Sequence, residues 1–133
     1  MKKKITLVVS ILMIGLVGVG QTAEEFFESA AEKGDSGDYQ GAISDFTKAI
    51  ELDSLYVRAY GGRAVNQAKL KNFQEAIADF TKAIELENSY VKGFVGRGIY
   101  QAEIGNYKES ILDFTEAIEL DSSQFVSYLY DVN

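Results

Sequence analysis

Gly41-Ala-Ile-Ser-Asp-Phe-Thr-Lys-Ala-Ile-Glu-Leu52 decides the fold, because the chain writes it three times. Glu75-Ala-Ile-Ala-Asp-Phe-Thr-Lys-Ala-Ile-Glu-Leu86 agrees with it at ten of twelve positions, and Glu109-Ser-Ile-Leu-Asp-Phe-Thr-Glu-Ala-Ile-Glu-Leu120 agrees with the second copy at nine of twelve. Both intervals are 34 residues, and a fixed period of that size is the mark of a solenoid built from stacked units. Within a copy the apolar residues recur at three and four, as in Ala42, Ile43, Phe46, Ala49 and Ile50, so each copy is one face of a helix.

Upstream of each copy lies a second, weaker helical pattern. It carries an aromatic at Phe26, Tyr60 and Phe94, followed four residues later by a small residue at Ala30, Ala64 and Gly98, where two helices can approach closely. Gly37-Asp38, Lys71-Asn72 and Gly105-Asn106 separate the two helices of each unit, and the Asp or Asn is placed to cap the helix that follows. The units therefore run 23–56, 57–90 and 91–124, with helices near 22–34, 39–52, 55–69, 73–86, 89–103 and 107–120. Thr22 with Glu25 three residues on forms a capping box. Residues 125–133 read as a partial fourth helix or a cap, and Phe125, Val126, Tyr128, Leu129 and Tyr130 make it apolar.

The first twenty residues stand outside this pattern. Lys2, Lys3 and Lys4 precede an apolar run from Ile5 to Gly20, closed by Gly18 and Gly20, which is the layout of a secretory signal peptide. The predicted division is a signal over 1–20 and one domain over 21–133, with export to the periplasm or outside. An uncleaved anchor is the alternative, although the run is short of the roughly 20 residues that span a bilayer. No cysteine follows the run to carry a lipid.

Composition narrows the chemistry. The 133 residues contain no cysteine, histidine, tryptophan or proline, so disulfides, thiolate or imidazole metal sites and nucleophile–histidine pairs are excluded. The net charge is −7, and loss of the three leader lysines leaves ten basic residues against twenty acidic ones, a net −10. Such a body is a poor partner for nucleic acid or anionic lipid, both of which require a basic face. No cofactor or metal is predicted. Gly37 and Tyr39 stand where a calcium loop around Asp35 and Asp38 would need oxygen ligands, and Glu24/Glu25 and Glu85/Glu87 are solvated carboxylates without an apolar pocket.

The 34-residue period, the aromatic opening the first helix, and Ala42/Phe46/Ala49, Ala76/Phe80/Ala83 and Ser110/Phe114/Ala117 in the second together resemble the tetratricopeptide repeat over residues 23–124. The resemblance implies an all-α superhelix of three hairpins. The proline that ordinarily ends each repeat is replaced by Ser54, Asn88 and Ser122, which are expected to cap the next helix instead. It further implies a protein-binding module whose first helices line a concave groove. That groove would be formed by Phe27 and Ala31, by Gly61, Val65 and Ala68, and by Val95, Ile99 and Ala102, with Arg58, Lys69 and Lys92 at the rim.

The same resemblance argues against one specialised ligand. Members that clamp the acidic tails of chaperones need lysine, asparagine and arginine at places held here by Phe27, Ala31, Gly62 and Gly96, with only Lys92 fitting. Two further expectations concern packing. Gly61-Gly62 inside a helix costs roughly 1 kcal/mol per glycine against alanine, offset either by a ligand's backbone approaching or by close packing on the preceding hairpin. Arg63 and Arg97 precede Asp79 and Asp113 by sixteen residues and are expected to pair with them across each hairpin, while Asp45, with Ser29 in the arginine's place, would borrow Arg63 from the next unit. The functional expectation is a non-enzymatic, exported scaffold that takes a protein or peptide segment in its groove. A self-assembling subunit using Phe125–Tyr130 for homo-oligomer contacts is the alternative.

Overall fold

The computed structural model describes residues 20–131, so the leader read over residues 1–20 lies almost wholly outside the described residues. Helices α1 (Ala23–Asp35), α2 (Tyr39–Leu52), α3 (Val57–Lys69), α4 (Phe73–Leu86), α5 (Val91–Glu103) and α6 (Tyr107–Asp131) follow one another without a strand among the described residues. They form three antiparallel hairpins, α1/α2, α3/α4 and α5/α6, stacked in order. The all-α solenoid expected from the period is thus the observed architecture. No helix among the described residues is long and apolar enough to cross a membrane.

Each element begins and ends for a local reason. Thr22 accepts from the Glu25 amide at 3.1 Å while Glu25 accepts from the Thr22 amide at 3.1 Å, so the capping box holds the start of α1. The turn inside each hairpin needs one residue in the left-handed region. Gly37 (φ +88°) and Gly105 (φ +87°) supply it freely, whereas Lys71 does so at φ +63° against its own Cβ.

Asp38 caps α2 through the Gly41 amide at 2.9 Å. Asn72 and Asn106 do not repeat that role: their side-chain amides turn back and donate to Gln67 and Gln101, each at 2.9 Å. The carboxamide has an N–H to donate and a glutamine acceptor five residues back, whereas Asp38 has the same length of side chain but no proton to give and Lys33 in the glutamine's place. The repeat boundaries also differ from expectation. Tyr56 and Tyr90, not a serine or asparagine, precede α3 and α5 and make no side-chain cap, so those helices start two residues later than the pattern suggested. The chain turns on Asp53, Glu87 and Asp121, all extended, with Asp53 accepting from the Leu55 amide at 3.0 Å.

Small residues let the hairpins close. Ala30, Ala42, Ala49, Ala59, Ala64, Ala76, Ala83 and Ala117 are wholly buried between helices, and Phe46 and Phe80 fill the spaces between hairpins. The glycine pair resolves into two packing contacts. A Cβ on Gly62 would collide with the Phe46 ring of the preceding hairpin, and Gly96 stands in the same relation to Phe80. Gly61 instead faces the next unit, where an added Cβ would sit 2.5 Å from the Tyr90 hydroxyl. Neither glycine is left bare for a ligand.

Charge ties each second helix to the first helices on either side. Arg63 donates to Asp79 through Nε at 2.8 Å and Nη2 at 2.7 Å, while Nη1 reaches back 3.2 Å to Thr47 in the preceding hairpin. Arg97 repeats the arrangement with Asp113 and Thr81 at 2.9, 2.7 and 3.2 Å. Both threonines spend their own hydroxyl protons on the carbonyl four residues back, leaving the oxygen free to accept. Asp45 does not draw on Arg63. Lys33 from its own hairpin reaches it at 2.6 Å and Ser29 at 2.7 Å. Burial pushes the Asp45 carboxyl up, but these bonds outweigh burial and hold it below the usual carboxylate range.

Helix α6 bends at Asp121 (φ −164°), and the arm beyond it, residues 122–131, occupies the place of a fourth first helix. Phe125, Tyr128 and Leu129 pack against Val91, Phe94 and Val95, with Phe114 edge-on to Phe125 at 5.8 Å. The apolar edge expected at Phe125–Tyr130 is therefore largely turned inward, and only Val126 and Tyr130 of its large side chains are exposed.

Two measurements test this packing. Gly96→Ala meets the Phe80 ring, itself 1% exposed, and is expected to lose about 1–3 kcal/mol in urea denaturation despite its gain in helix propensity. Gly61→Ala meets only the far end of Tyr90 and should lose clearly less. Asp121 accepts from the Ser123 hydroxyl and amide and the Gln124 side chain and amide, which hold its carboxyl down at about 2 against an ordinary 3.8. A carboxyl depressed by folding adds stability above its ordinary value and loses it as pH falls. Helicity of the 122–131 arm is therefore expected to persist at pH 4 and decline toward pH 2, and NMR titration of the Asp121 carboxyl should show the low midpoint.

Candidate functional site

The stacking leaves the first helices, α1, α3 and α5, along one concave face, and that face forms two joined hollows. The wider, of about 500 Å³, runs over the first two hairpins between Phe27, Ala31, Arg58, Val65 and Asn66. The narrower, of about 200 Å³, lies over the third hairpin between Val65, Ile99, Tyr100 and Tyr128, floored by Phe80, Val95 and Gly96. Val65, Lys69, Lys92 and Tyr128 border both, so the two form one groove with a waist.

Aromatic packing builds the wide end. Phe27 stacks on Tyr56 at 5.1 Å and meets Phe46 edge-on at 5.5 Å. The Arg58 guanidinium lies 4.6 Å over the other side of the Phe27 ring, a cation–π contact that fixes the arginine at the rim. Tyr90 closes the side of this hollow, and burial, then Tyr128 and Glu87, push its hydroxyl up to about 12, so it stands there as a neutral donor.

At the narrow end Tyr100 stacks on Phe73 at 5.7 Å and on Phe80 at 6.1 Å, which makes one wall rigid. The floor exists because Gly96 has no side chain. The Phe80 ring fills the space a Cβ would need, so the floor is flat and apolar.

The structure brings together most of the residues expected to line the groove. Phe27, Val65 and Ile99 are half-buried in its walls, and Arg58, Lys69 and Lys92 are exposed along its edge. Three of the expected residues fall elsewhere. Gly61 is buried beneath Tyr90 and lines neither hollow, Ala68 is 7% exposed within the core, and Ala102 borders neither hollow. Val95, 1% exposed, is floor and core at once.

Sequence reasoning missed Asn66, Tyr90, Tyr100, Tyr128 and Asp131. Tyr128 carried a misleading signal, since it follows Phe94 by one full period and should have been core. The terminal arm leaves Tyr128 half-buried, packed on the third hairpin and at the groove as well. Tyr90 was hidden by its place in the inter-repeat turn.

Electrostatics single out the rim. Five ion pairs join the described residues, and Arg58, Lys69 and Lys92 are in none of them. On a chain of net charge −7 these three cations border one hollow, where only Asp35 and, at the narrow end, Asp131 bring opposite charge. The groove holds no histidine or cysteine, and no group of three acidic side chains among the described residues could bind a metal ion. What the arrangement offers is shape, apolar surface and positive charge.

A family model for the tetratricopeptide repeat matches residues 32–54 and 57–90. Among solved structures, the second TPR of Spaghetti (RPAP3), bound to the HSP90 peptide SRMEEVD, is 30% identical, spanning 76% of this chain and 94% of that one with a TM-score of 0.74. The first TPR of the same protein, with the same peptide, is 25% identical over 84% of this chain and 90% of that one at a TM-score of 0.76. The TPR2B domain of yeast Sti1 in complex with pHsp70 is 26% identical over 83% of this chain and 94% of that one at 0.75. No curated protein matches by sequence. The repeat period, the six helices in three hairpins and these likenesses agree, and the chain belongs to the tetratricopeptide repeat family.

Proposed function

We propose that the protein is a non-enzymatic scaffold, exported by the leader over residues 1–20, whose concave groove docks a segment of another protein. The observation that carries this is the coincidence on one face of an apolar, aromatic-walled channel and three cations, Arg58, Lys69 and Lys92, that make no ion pair among the described residues. Similar domains in Spaghetti and Sti1 hold chaperone peptides, which supports a peptide-sized partner. The chaperone tail itself is not the ligand we assign, because Phe46 and Phe80 occupy the space above Gly62 and Gly96 where clamp side chains would stand.

Self-assembly keeps a second reading, on a surface other than Phe125–Tyr130. The outer face of α6 exposes Tyr107, Ile111, Leu112 and Ile118, at 67, 64, 62 and 47%. A second copy laid antiparallel would set Lys108 near the partner's Glu116 or Glu119, all exposed. Light scattering that shows a monomer at high concentration disposes of this reading.

For the groove, a photo-crosslinker placed at Lys69 is expected to capture a protein from the native envelope, while the same group at exposed Ala78, on α4, captures none above background. Capture at Ala78 but not Lys69 contradicts the groove.

A further inference from the structure

Resting on that reading of the groove, we infer that the docked segment carries a bulky apolar side chain with a carboxylate beside it. The apolar side chain enters the narrow hollow and the carboxylate lies at the waist, between Lys69 and Lys92. The hollow of about 200 Å³ is below the roughly 300–1,000 Å³ that whole small-molecule ligands occupy, so it suits a single side chain. Its walls are Val65, Ile99, Tyr100 and Tyr128 and its floor is the Phe80 ring over Gly96 with Val95, all apolar, while its charged groups, Lys69, Lys92 and Asp131, are exposed at its edge. The floor therefore favours an aliphatic or aromatic group, and a carboxylate is favoured only at the lysine-bearing edge.

Charge then fixes the neighbour. Lys69 on α3 and Lys92 on α5 border both hollows, so a residue next to the inserted side chain passes between two ammonium groups that no ion pair among the described residues engages. Arg58, held on the Phe27 ring, extends the same sign into the wide hollow. A second acidic residue further along the segment meets it there. Asp131 at the narrow end would attract a lysine or arginine, but a basic segment would still face the three cations. The partner is thus a segment with alternating apolar and acidic character.

Selection from random short peptides displayed on phage tests this against three immobilised proteins: the native chain, Lys69→Glu/Lys92→Glu, and Ile99→Glu. Both lysines are exposed and Ile99 is half-buried, and circular dichroism verifies that each variant folds. The native chain is expected to enrich peptides with an aromatic or large aliphatic residue within two positions of Asp or Glu. The charge-reversed protein should bind those peptides at least about tenfold more weakly, and Ile99→Glu should lose them. Enriched peptides that are neutral or basic, yet lost on Ile99→Glu, overturn the inference and leave the groove standing. Enrichment indifferent to all three substitutions, or none at all, overturns both.

Discussion

A phenylalanine ring laid flat against a glycine of the next hairpin is the contact on which the rest depends. Phe46 over Gly62 and Phe80 over Gly96 set how closely successive units approach, because any Cβ at either glycine would push the hairpins apart. The two glycines weaken their helices by roughly 1 kcal/mol each, and the buried rings offset that loss, being 3% and 1% exposed. The same contact makes the groove. Along the channel the chain presents the edge of its own core, so the channel floor is apolar and the charged groups lie at the rim.

The rim is available because the interior consumes charge so economically. Arg63 and Arg97 each satisfy an aspartate of their own hairpin and a threonine of the hairpin before, which ties three helices with one side chain. Lys33 and Ser29 do the equivalent work for Asp45 in the first unit, where no preceding hairpin exists among the described residues to be reached. Buried polar side-chain atoms without a partner are absent among the described residues. Of the five cations left over, Arg58, Lys69 and Lys92 sit on first helices at concave positions, while Lys71 lies in the α3/α4 turn and Lys108 on α6, and the placement of the three gives an acidic body a locally positive channel.

Much of this was readable from residue spacing, and the failures have a common cause. Periodicity reports what recurs, so hairpins and the Arg63–Asp79 and Arg97–Asp113 pairs followed from the 34-residue register, while the groove positions Val65 and Ile99 were implied by the resemblance to the tetratricopeptide repeat. The capping box at Thr22 was legible because both of its partners lie within one turn. What differed between repeats was not legible. Asn72 and Asn106 share a register position with Asp38 but find glutamine acceptors, and Asp45 shares one with Asp79 but finds a lysine twelve residues back rather than an arginine. Gly61 looked like an opening and proved to be the seat of Tyr90, a residue from the irregular turn where no pattern speaks. The pattern left the terminal arm as either an open edge or a cap, and only the tertiary contacts of Phe125, Tyr128 and Leu129 with Val91, Phe94 and Val95 show three of its apolar side chains turned inward.

Amide-resolved NMR of the isotope-labelled chain, titrated with an apolar–acidic peptide selected as above, addresses the central claim most directly. If the concave channel is the docking surface, shift changes will concentrate at Val65, Lys69, Lys92, Ile99 and Tyr128, and will extend toward Phe27 and Arg58 with longer peptides. Changes confined to Tyr107, Ile111, Leu112 and Ile118 on the outer face of α6, with the channel silent, would contradict it.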